Sequence, residues 1–407
     1  MMPHDRKRHL YHSFSNLIRH AKIVGIFGHR QVGKTTFLEA NSQDYITLDD
    51  HEELDRAQNT PKAFLKSMKG AHSAIDECQL APSLFPALKL AVQKNKKPGQ
   101  FILSGSVRFT SRKAIRESLT GRIAGLELYP MTVTEIDEDH GSQFFIKALE
   151  HNDYNSFMNE LQTPKSILRS RNKAIEKYFL LGGLPGICFI RNPQTRKNMI
   201  GDVIKTILSR DIRLVYETTV PDFRIFNLCT EIARTPLVGF HPTLFRKNTG
   251  LSESTQKKLV QALEAVFLVR RIPIEGDYRG DLLWFEDQTE RYYFQNIVKG
   301  TFEDWIGCVY RHLRAQFGYT LGYTPEYFHY KTRSKAMMPI AVRHAQSTLG
   351  IYPLLNENEP TKAQLTSAKN FLSHYQNSKV VFVTYAGREP ELIRENIILV
   401  SAAHAFY

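Results

Sequence analysis

Cysteine is scarce. The 407 residues hold four, Cys78, Cys188, Cys229 and Cys308. They lie far apart and show no paired spacing, which excludes a disulfide framework and a cysteine-based zinc module. Such thiols fit a reducing compartment, and a cytoplasmic protein is expected. Long apolar runs are missing as well: none approaches the roughly 20 residues of a membrane-spanning helix. The basic N-terminus, with Arg6-Lys7-Arg8, has no apolar segment after it and is not read as a secretory signal. Internal repeats and low-complexity stretches are absent. Acidic side chains are in the minority, 41 Asp+Glu against 54 Lys+Arg, and the net charge of +13 points to a polyanionic partner such as double-stranded DNA. Charge speaks to non-specific affinity and not to fold. What remains is a globular composition, 42% apolar and 23% charged, in a chain long enough for two or three domains.

The most informative stretch is Gly28-His29-Arg30-Gln31-Val32-Gly33-Lys34-Thr35, followed by Thr36. It lies between the apolar run Ile23–Phe27 and the helical segment Thr36-Phe37-Leu38-Glu39-Ala40. Gly-x4-Gly-Lys-Thr between a strand and a helix is the spacing of a phosphate-binding loop. Glycines let backbone N–H groups turn inward around a polyphosphate, and the helix start adds its positive dipole end. Residues 28–36 are therefore the candidate ATP-binding segment. Lys34 is expected on the β- and γ-phosphates, and the Thr35 hydroxyl on Mg²⁺.

Apolar runs at Ile23–Phe27, Tyr45–Leu48, Ser73–Ile75, Phe101–Leu103 and Leu126–Leu128 alternate with helical stretches. That order predicts an α/β fold, a P-loop parallel sheet with helices on both faces and its ligand at the carboxyl ends of the strands. The third run leads into Asp76-Glu77. Asp76 is expected to hold magnesium and Glu77 to orient and deprotonate the attacking water. The fourth ends in Ser104-Gly105-Ser106. Where a strand is inserted between the loop strand and the Asp-Glu strand, Ser104 or Ser106 is placed to sense the γ-phosphate. Leu119-Thr120-Gly121-Arg122 puts Arg122 after a turn, as an arginine finger for its own site or a neighbour's.

These pieces together resemble the prokaryotic AAA-like ATPases whose loop reads G-P-R-Q-V-G-K-T-T-x-L and whose C-terminal domain is similar to PD-(D/E)xK nucleases. Further matching segments are Leu48-Asp49-Asp50, Leu181-Gly182-Gly183-Leu184-Pro185 and Ser209-Arg210-Asp211-Ile212. His29 stands where the family usually has proline. The resemblance implies ATP, Mg²⁺ and an ATPase domain over 1–140, followed by a helical lid over 141–222. Arg210 and Asp211 match the family's Arg-Asp pair there.

Residues 223–295 read as a winged helix. Ile225, Leu228, Cys229 and Ile232 form one helical stripe, His241–Lys247 a short helix and Ser252–Phe267 a third, with Val269–Ile274 and Leu282–Glu286 as a hairpin. Thr255, Gln256, Lys257, Lys258 and Gln261 are expected outward. Gln256, Lys257, Lys258 and the hairpin's Arg279 are the candidate DNA contacts. Residues 296–407 repeat the element order of the nuclease-like core. Ala336–Leu355, however, contains no Asp, Glu or Lys. Its carboxylates are due near Ile340 and Tyr352, and Glu303 alone cannot build a metal site. A nuclease-like domain without cleavage activity is expected.

Three functions follow. The first is an ATP-hydrolysing switch that exchanges ATP and ADP, alone, as a homo-oligomer or with a protein partner. The second is a DNA-binding regulatory or defence component with a mainly structural nucleotide site. The third is a small-metabolite kinase with Asp49 or Asp50 as base.

Overall fold

The computed structural model describes residues 6–108, 121–151, 153–297 and 300–407. Five strands, β1 (Ile23–Phe27), β2 (Asp44–Thr47), β3 (Ser73–Asp76), β4 (Phe101–Gly105) and β5 (Ile123–Glu127), form one sheet in the order β2-β3-β4-β1-β5. All four pairings are parallel. β1 is central, and its Ile-Val-Gly-Ile run is buried on both faces, as parallel strands under helices must be. Alternate side chains enter two cores. Ile23, Ile75 and Leu103 pack with Phe64, Phe85 and Leu88 on one face. Val24, Ile26 and Ile102 pack with Leu10, Phe14 and Phe37 on the other. β4 lies between β1 and β3, the inserted position that the polar residues after the fourth run required. β5 starts at Ile123, three residues ahead of the expected run.

Helices Lys165–Leu181 and Pro193–Thr206 follow, with the breaker Gly182-Gly183 between them. The second helix widens into a π turn at Ile207–Asp211 before resuming at Ile212–Val215. Three more helices, Asp222–Arg234, Pro242–Thr249 and Glu253–Ala265, precede a hairpin of β6 (Val269–Gly276) and β7 (Asp281–Phe285).

The second sheet has eight strands and is mixed. It adds β8 (Glu326–Lys331), β9 (Met337–His344), β10 (Ser347–Leu354), β11 (Ser378–Thr384), β12 (Glu391–Arg394) and β13 (Ile397–Ser401), in the order β12-β13-β11-β10-β9-β8-β6-β7. The hairpin is thus one edge of this sheet, joined through the parallel pairs Ile274↔His329 and Glu275↔Tyr330. Helix Phe302–Leu321 covers one face, against Ile340, Val342, Ile351 and Val383. Helix Lys362–His374 covers the other, where Phe371 meets Met338, Tyr352 and Phe382. The first of these helices is buried along most of its length because its outer side meets the first sheet. Tyr319 accepts from Arg8, and Arg314 reaches Glu127 at the end of β5. Among the described residues no helix is long and apolar enough to cross a membrane.

Candidate functional site

The loop after β1 is shaped by two local constraints. A Cβ on Gly28 would lie 2.2 Å from the Leu128 carbonyl oxygen, so only glycine fits there. Gln31 and Gly33 both take positive φ, 62° and 91°, which curls the loop. Helix Lys34–Asn41 starts with no side-chain cap, so its first N–H groups are left for an anion. The Lys34 ammonium is buried and donates to the carbonyls of Gly28 (3.2 Å) and His29 (3.0 Å). Burial pushes its pKa down, and the nearby Glu77 and Asp76 carboxylates oppose that.

Asp76 gathers the neighbouring strands. Its Oδ2 accepts from Thr35 Oγ1 at 2.6 Å and from the Tyr45 hydroxyl of β2 at 2.9 Å. Its Oδ1 accepts from Ser104 Oγ of β4. Burial and Asp76 together hold the Tyr45 phenol protonated, above its ordinary range. Glu77 sits in the left-handed region, φ 53°, which turns it off the strand end. Its backbone N–H donates to Ser104 Oγ at 3.2 Å. Its carboxylate accepts from Gln79 and, at 3.2 Å, from Ser106 Oγ. A hydroxyl and a carboxylate thus converge beside the loop. Mg²⁺ needs few protein oxygens and fills its remaining positions with phosphate and water, so Thr35 and Asp76 suit it.

The back of the loop is tied to distant segments. Arg8 donates to the carbonyls of Val32 and Tyr129, both at 2.6 Å, and pairs with Glu135. Arg30 forks onto Asp211 through two bonds of 2.9 and 2.8 Å. The π turn buries Asp211 while leaving Arg210 outside, 3.4 Å from Asp49. His29 Nε2 lies 2.7 Å from Glu290 Oε1, both fully buried, while its Nδ1 meets the Arg30 carbonyl. Burial works against the imidazolium, but the Glu290 carboxylate outweighs it and raises the His29 pKa. Helix Gln288–Gln295, which carries Glu290, is capped by Asp287, and that same carboxylate takes the Gly183 N–H at 2.8 Å. One helix and its cap therefore touch both the loop and the Gly182-Gly183 turn. Beside Gly33 and Thr36 opens a cavity of about 990 Å³, bordered by Arg8, Tyr11, Phe37 and Pro185.

Lys34, Thr35, Asp76, Glu77 and Ser104 are brought together. Ser104 is wholly buried, and its hydroxyl bonds Asp76 and Glu77. Arg122 is not brought in, which corrects its expected reach to the phosphate of its own site. It precedes Ile123, which pairs with Ile23 at the amino end of β1. The loop leaves the other end, about 16 Å along the strand. Leu119 and Thr120 lie outside the described residues. Gln256 is also corrected: it is fully buried and donates to the Leu251 carbonyl at 3.0 Å. Lys257, Lys258 and Arg279 are exposed. Asp50 caps helix His51–Asn59 and Asp49 faces Arg210, so both carboxylates of the kinase reading have structural partners. Ile340 and Tyr352 are buried on opposite faces of the second sheet, and Glu303 accepts from Thr301 at 2.7 Å. Tyr45 and Glu290 carried no sequence signal of a role, whereas Gln79 closes the segment Ile75-Asp76-Glu77-Cys78-Gln79, which matches the resembled family.

Residues 20–137 match the AAA domain family, and residues 172–275 match a domain of unknown function (DUF8612). Two curated relatives, uncharacterized proteins of Mycobacterium bovis and Mycobacterium tuberculosis, are each 25% identical over 263 residues, 63% of this chain. The chain spans about half the length of these relatives, the match covering 50% of each. Among solved structures, similarity extends to a signal transduction ATPase with numerous domains and a tetratricopeptide repeat sensor from Pyrococcus horikoshii. It is 12% identical at a TM-score of 0.25, over 78% of this chain and 47% of that one. A protein of Vibrio cholerae is 9% identical at 0.21, over 94% and 95%. Likenesses of that size carry no argument about arrangement or activity. The AAA match and the parallel sheet identify residues 20–137 as a P-loop ATPase domain, a class that generally binds ATP with Mg²⁺.

Proposed function

We propose that the protein is a Mg²⁺-dependent ATPase that works as a nucleotide-controlled switch. The observation that carries this reading is the convergence on Asp76 of Thr35, Tyr45 and Ser104, with Glu77 held beside it by Gln79 and Ser106. ATP lays its phosphates along the N–H groups of residues 28–36, with its base and ribose in the cavity beside Gly33. Lys34 leaves the Gly28 and His29 carbonyls for the β- and γ-phosphates. Thr35 and Asp76 would hold Mg²⁺, which would supply charge neutralisation on the phosphates. Glu77 takes the proton of the attacking water as the bond to the γ-phosphorus forms and the bond to the ADP oxygen breaks. Because the loop is bonded to the lid at Asp211 and to helix Gln288–Gln295 at Glu290, a change in loop shape is passed to both.

Lys34→Ala is expected to abolish binding of a fluorescent ATP analogue. Glu77→Gln should bind with unchanged affinity and hydrolyse at least about a hundredfold more slowly. Unchanged turnover in both variants refutes the assignment.

A second reading is a DNA-binding regulatory or defence component. It is favoured by the exposure of Lys257, Lys258 and Arg279 on a unit of three helices and a hairpin. Double-stranded DNA affinity that falls with salt, and falls further in the triple neutralised variant, supports it. Absence of binding at low salt removes it.

A further inference from the structure

The first sheet has a second edge, opposite the loop, at the amino ends of its strands. Three strands that lie side by side, β3, β4 and β1, are each entered there by a basic segment. Lys69 precedes β3, Lys94, Lys96 and Lys97 precede β4, and Arg19 and Lys22 precede β1. Backbone bonds hold the segments together. Gly99 donates to the Ala21 carbonyl at 2.7 Å, Gln100 to that of Lys22 at 3.1 Å, and Ser73 to that of Gln100 at 3.0 Å. His72 Nδ1 meets the Gly99 carbonyl at 2.6 Å. With neighbouring strands roughly 4.8 Å apart, the three entries line about 10 Å of edge.

The charge of this edge is not balanced from within. Of the six cations, Lys22 is half-buried and the other five are exposed, and among the described residues none of the six is in an ion pair. Segments 16–22, 41–44, 68–73 and 94–101, which form the edge, hold one carboxylate, Asp44. It is spent on the N–H groups of Lys69, at 2.7 Å, and Gly70. Cations do belong at helix C-termini, and helices Tyr11–Leu17, Lys34–Asn41 and Leu84–Lys94 lead into this edge. Three such ends supply roughly −1.5 charges together, which leaves more than half of the excess of six cations over one carboxylate.

What the edge lacks narrows its partner. Its segments expose no Phe, Tyr or Trp on which the bases of a single strand could stack. They expose no large apolar side chain to enter a membrane. Asn95 accepts from the Lys97 N–H at 3.1 Å, and Gln100 donates to the carbonyls of Asn95 and Lys97 at 2.8 and 2.6 Å. These amides are engaged within their own turn instead of being offered to base edges or ribose hydroxyls. Point charges remain, five of the six on lysine, and they suit phosphates without directional readout.

We propose that the amino edge of the first sheet is a docking surface for the phosphate backbone of double-stranded DNA, bound without regard to sequence. DNA and the ligand of the loop then occupy opposite ends of the same strands. The surface shares no residue with Lys257, Lys258 and Arg279, and it stands whether or not that unit binds DNA. It does not depend on ATP hydrolysis.

The test titrates the full chain, without nucleotide, against a fluorescent DNA duplex of arbitrary sequence between about 50 and 200 mM salt. Six phosphate contacts from this edge should contribute about −5 to the slope of log K on log salt, about −0.9 each. The triple variant Lys94→Gln, Lys96→Gln, Lys97→Gln removes exposed charges that pair with nothing, so its melting temperature should match the parent's. It should flatten the slope by about 2–3 and weaken binding at least about tenfold at the low-salt end. The same triple change made in a chain with Lys257, Lys258 and Arg279 already neutralised should flatten the slope by the same amount, which separates the two surfaces. No binding at about 50 mM salt, or a slope and affinity that the triple change leaves alone, overturns the proposal. So does tighter binding to an RNA duplex, or to phosphatidylcholine–phosphatidylserine vesicles, than to DNA.

Discussion

The two sheets are alike in layering and opposite in what they leave open. Both are covered by helices on both faces. In the first, all five strands run the same way, so their carboxyl ends form one edge, and there Asp76, Glu77 and Ser104 meet the loop. In the second, the mixed directions scatter strand ends, and the positions due to carry carboxylates are Ile340 and Tyr352, buried on opposite faces. A shared edge concentrates unpaired backbone groups and polar side chains, whereas a sealed mixed sheet contributes packing. The difference teaches that fold likeness carries no chemistry unless the strand ends converge on polar groups.

The largest effect that sharpens this contrast is Asp76→Ala, which removes the carboxylate shared by Thr35, Tyr45 and Ser104. ATP turnover should fall by about a hundredfold or more, read as phosphate release. The matched change in the second sheet, Glu303→Ala, should leave turnover within about twofold. With Mg²⁺ or Mn²⁺ neither parent nor variant should cut DNA. Cleavage that Glu303→Ala abolishes breaks the comparison outright.

A smaller effect belongs to the clamps behind the loop. Asp211→Asn strips Arg30 of its forked partner. Asp211 is buried but the Arg30 side chain is 21% exposed, so the cost should be about 2 kcal/mol in urea unfolding, less than the about 3–5 of a fully buried pair. Unchanged stability would mean that the loop and the π turn carrying Asp211 are not mechanically joined.

The His29–Glu290 pair predicts a pH signature. Glu290, with Glu286 also acting on the ring, raises the folded-state pKa of His29 above its unfolded value. The stabilisation is therefore complete below about pH 6.5, the unfolded value, and is lost as pH rises through the raised folded one. Unfolding measured across that window should show stability falling with pH, and His29→Gln should flatten the slope. The same slope in the variant would assign it to other groups.

Much of the first region was legible because its signals are local. The loop spacing, the Asp-Glu pair at a strand end and the serine after the fourth run each span a few residues and sit where expected. Gln256 was legible too but misread: it stands three and four places before Leu259 and Val260 and shares their inward face, a periodicity that outweighs its polar side chain. What the sequence hides is pairing at a distance. His29 and Glu290 are 261 positions apart, and the hairpin's union with β8 depends on a parallel register that no local pattern encodes.

Arg122 tests the comparison at the far edge of the first sheet, because its place after a turn and its segment's family resemblance made it a finger. Strand length decides the matter. β1 and β5 run in step from Ile23↔Ile123 to Phe27↔Glu127, so Arg122 leaves the sheet at the edge opposite the loop. An arginine side chain reaches about 7 Å, less than half of the roughly 16 Å of strand between them. Arg122→Ala should therefore change turnover of the isolated monomer by less than about twofold. A loss of a hundredfold, confined to concentrations at which copies associate, would make the amino edge of one sheet part of its neighbour's site and end the picture of a single reactive edge.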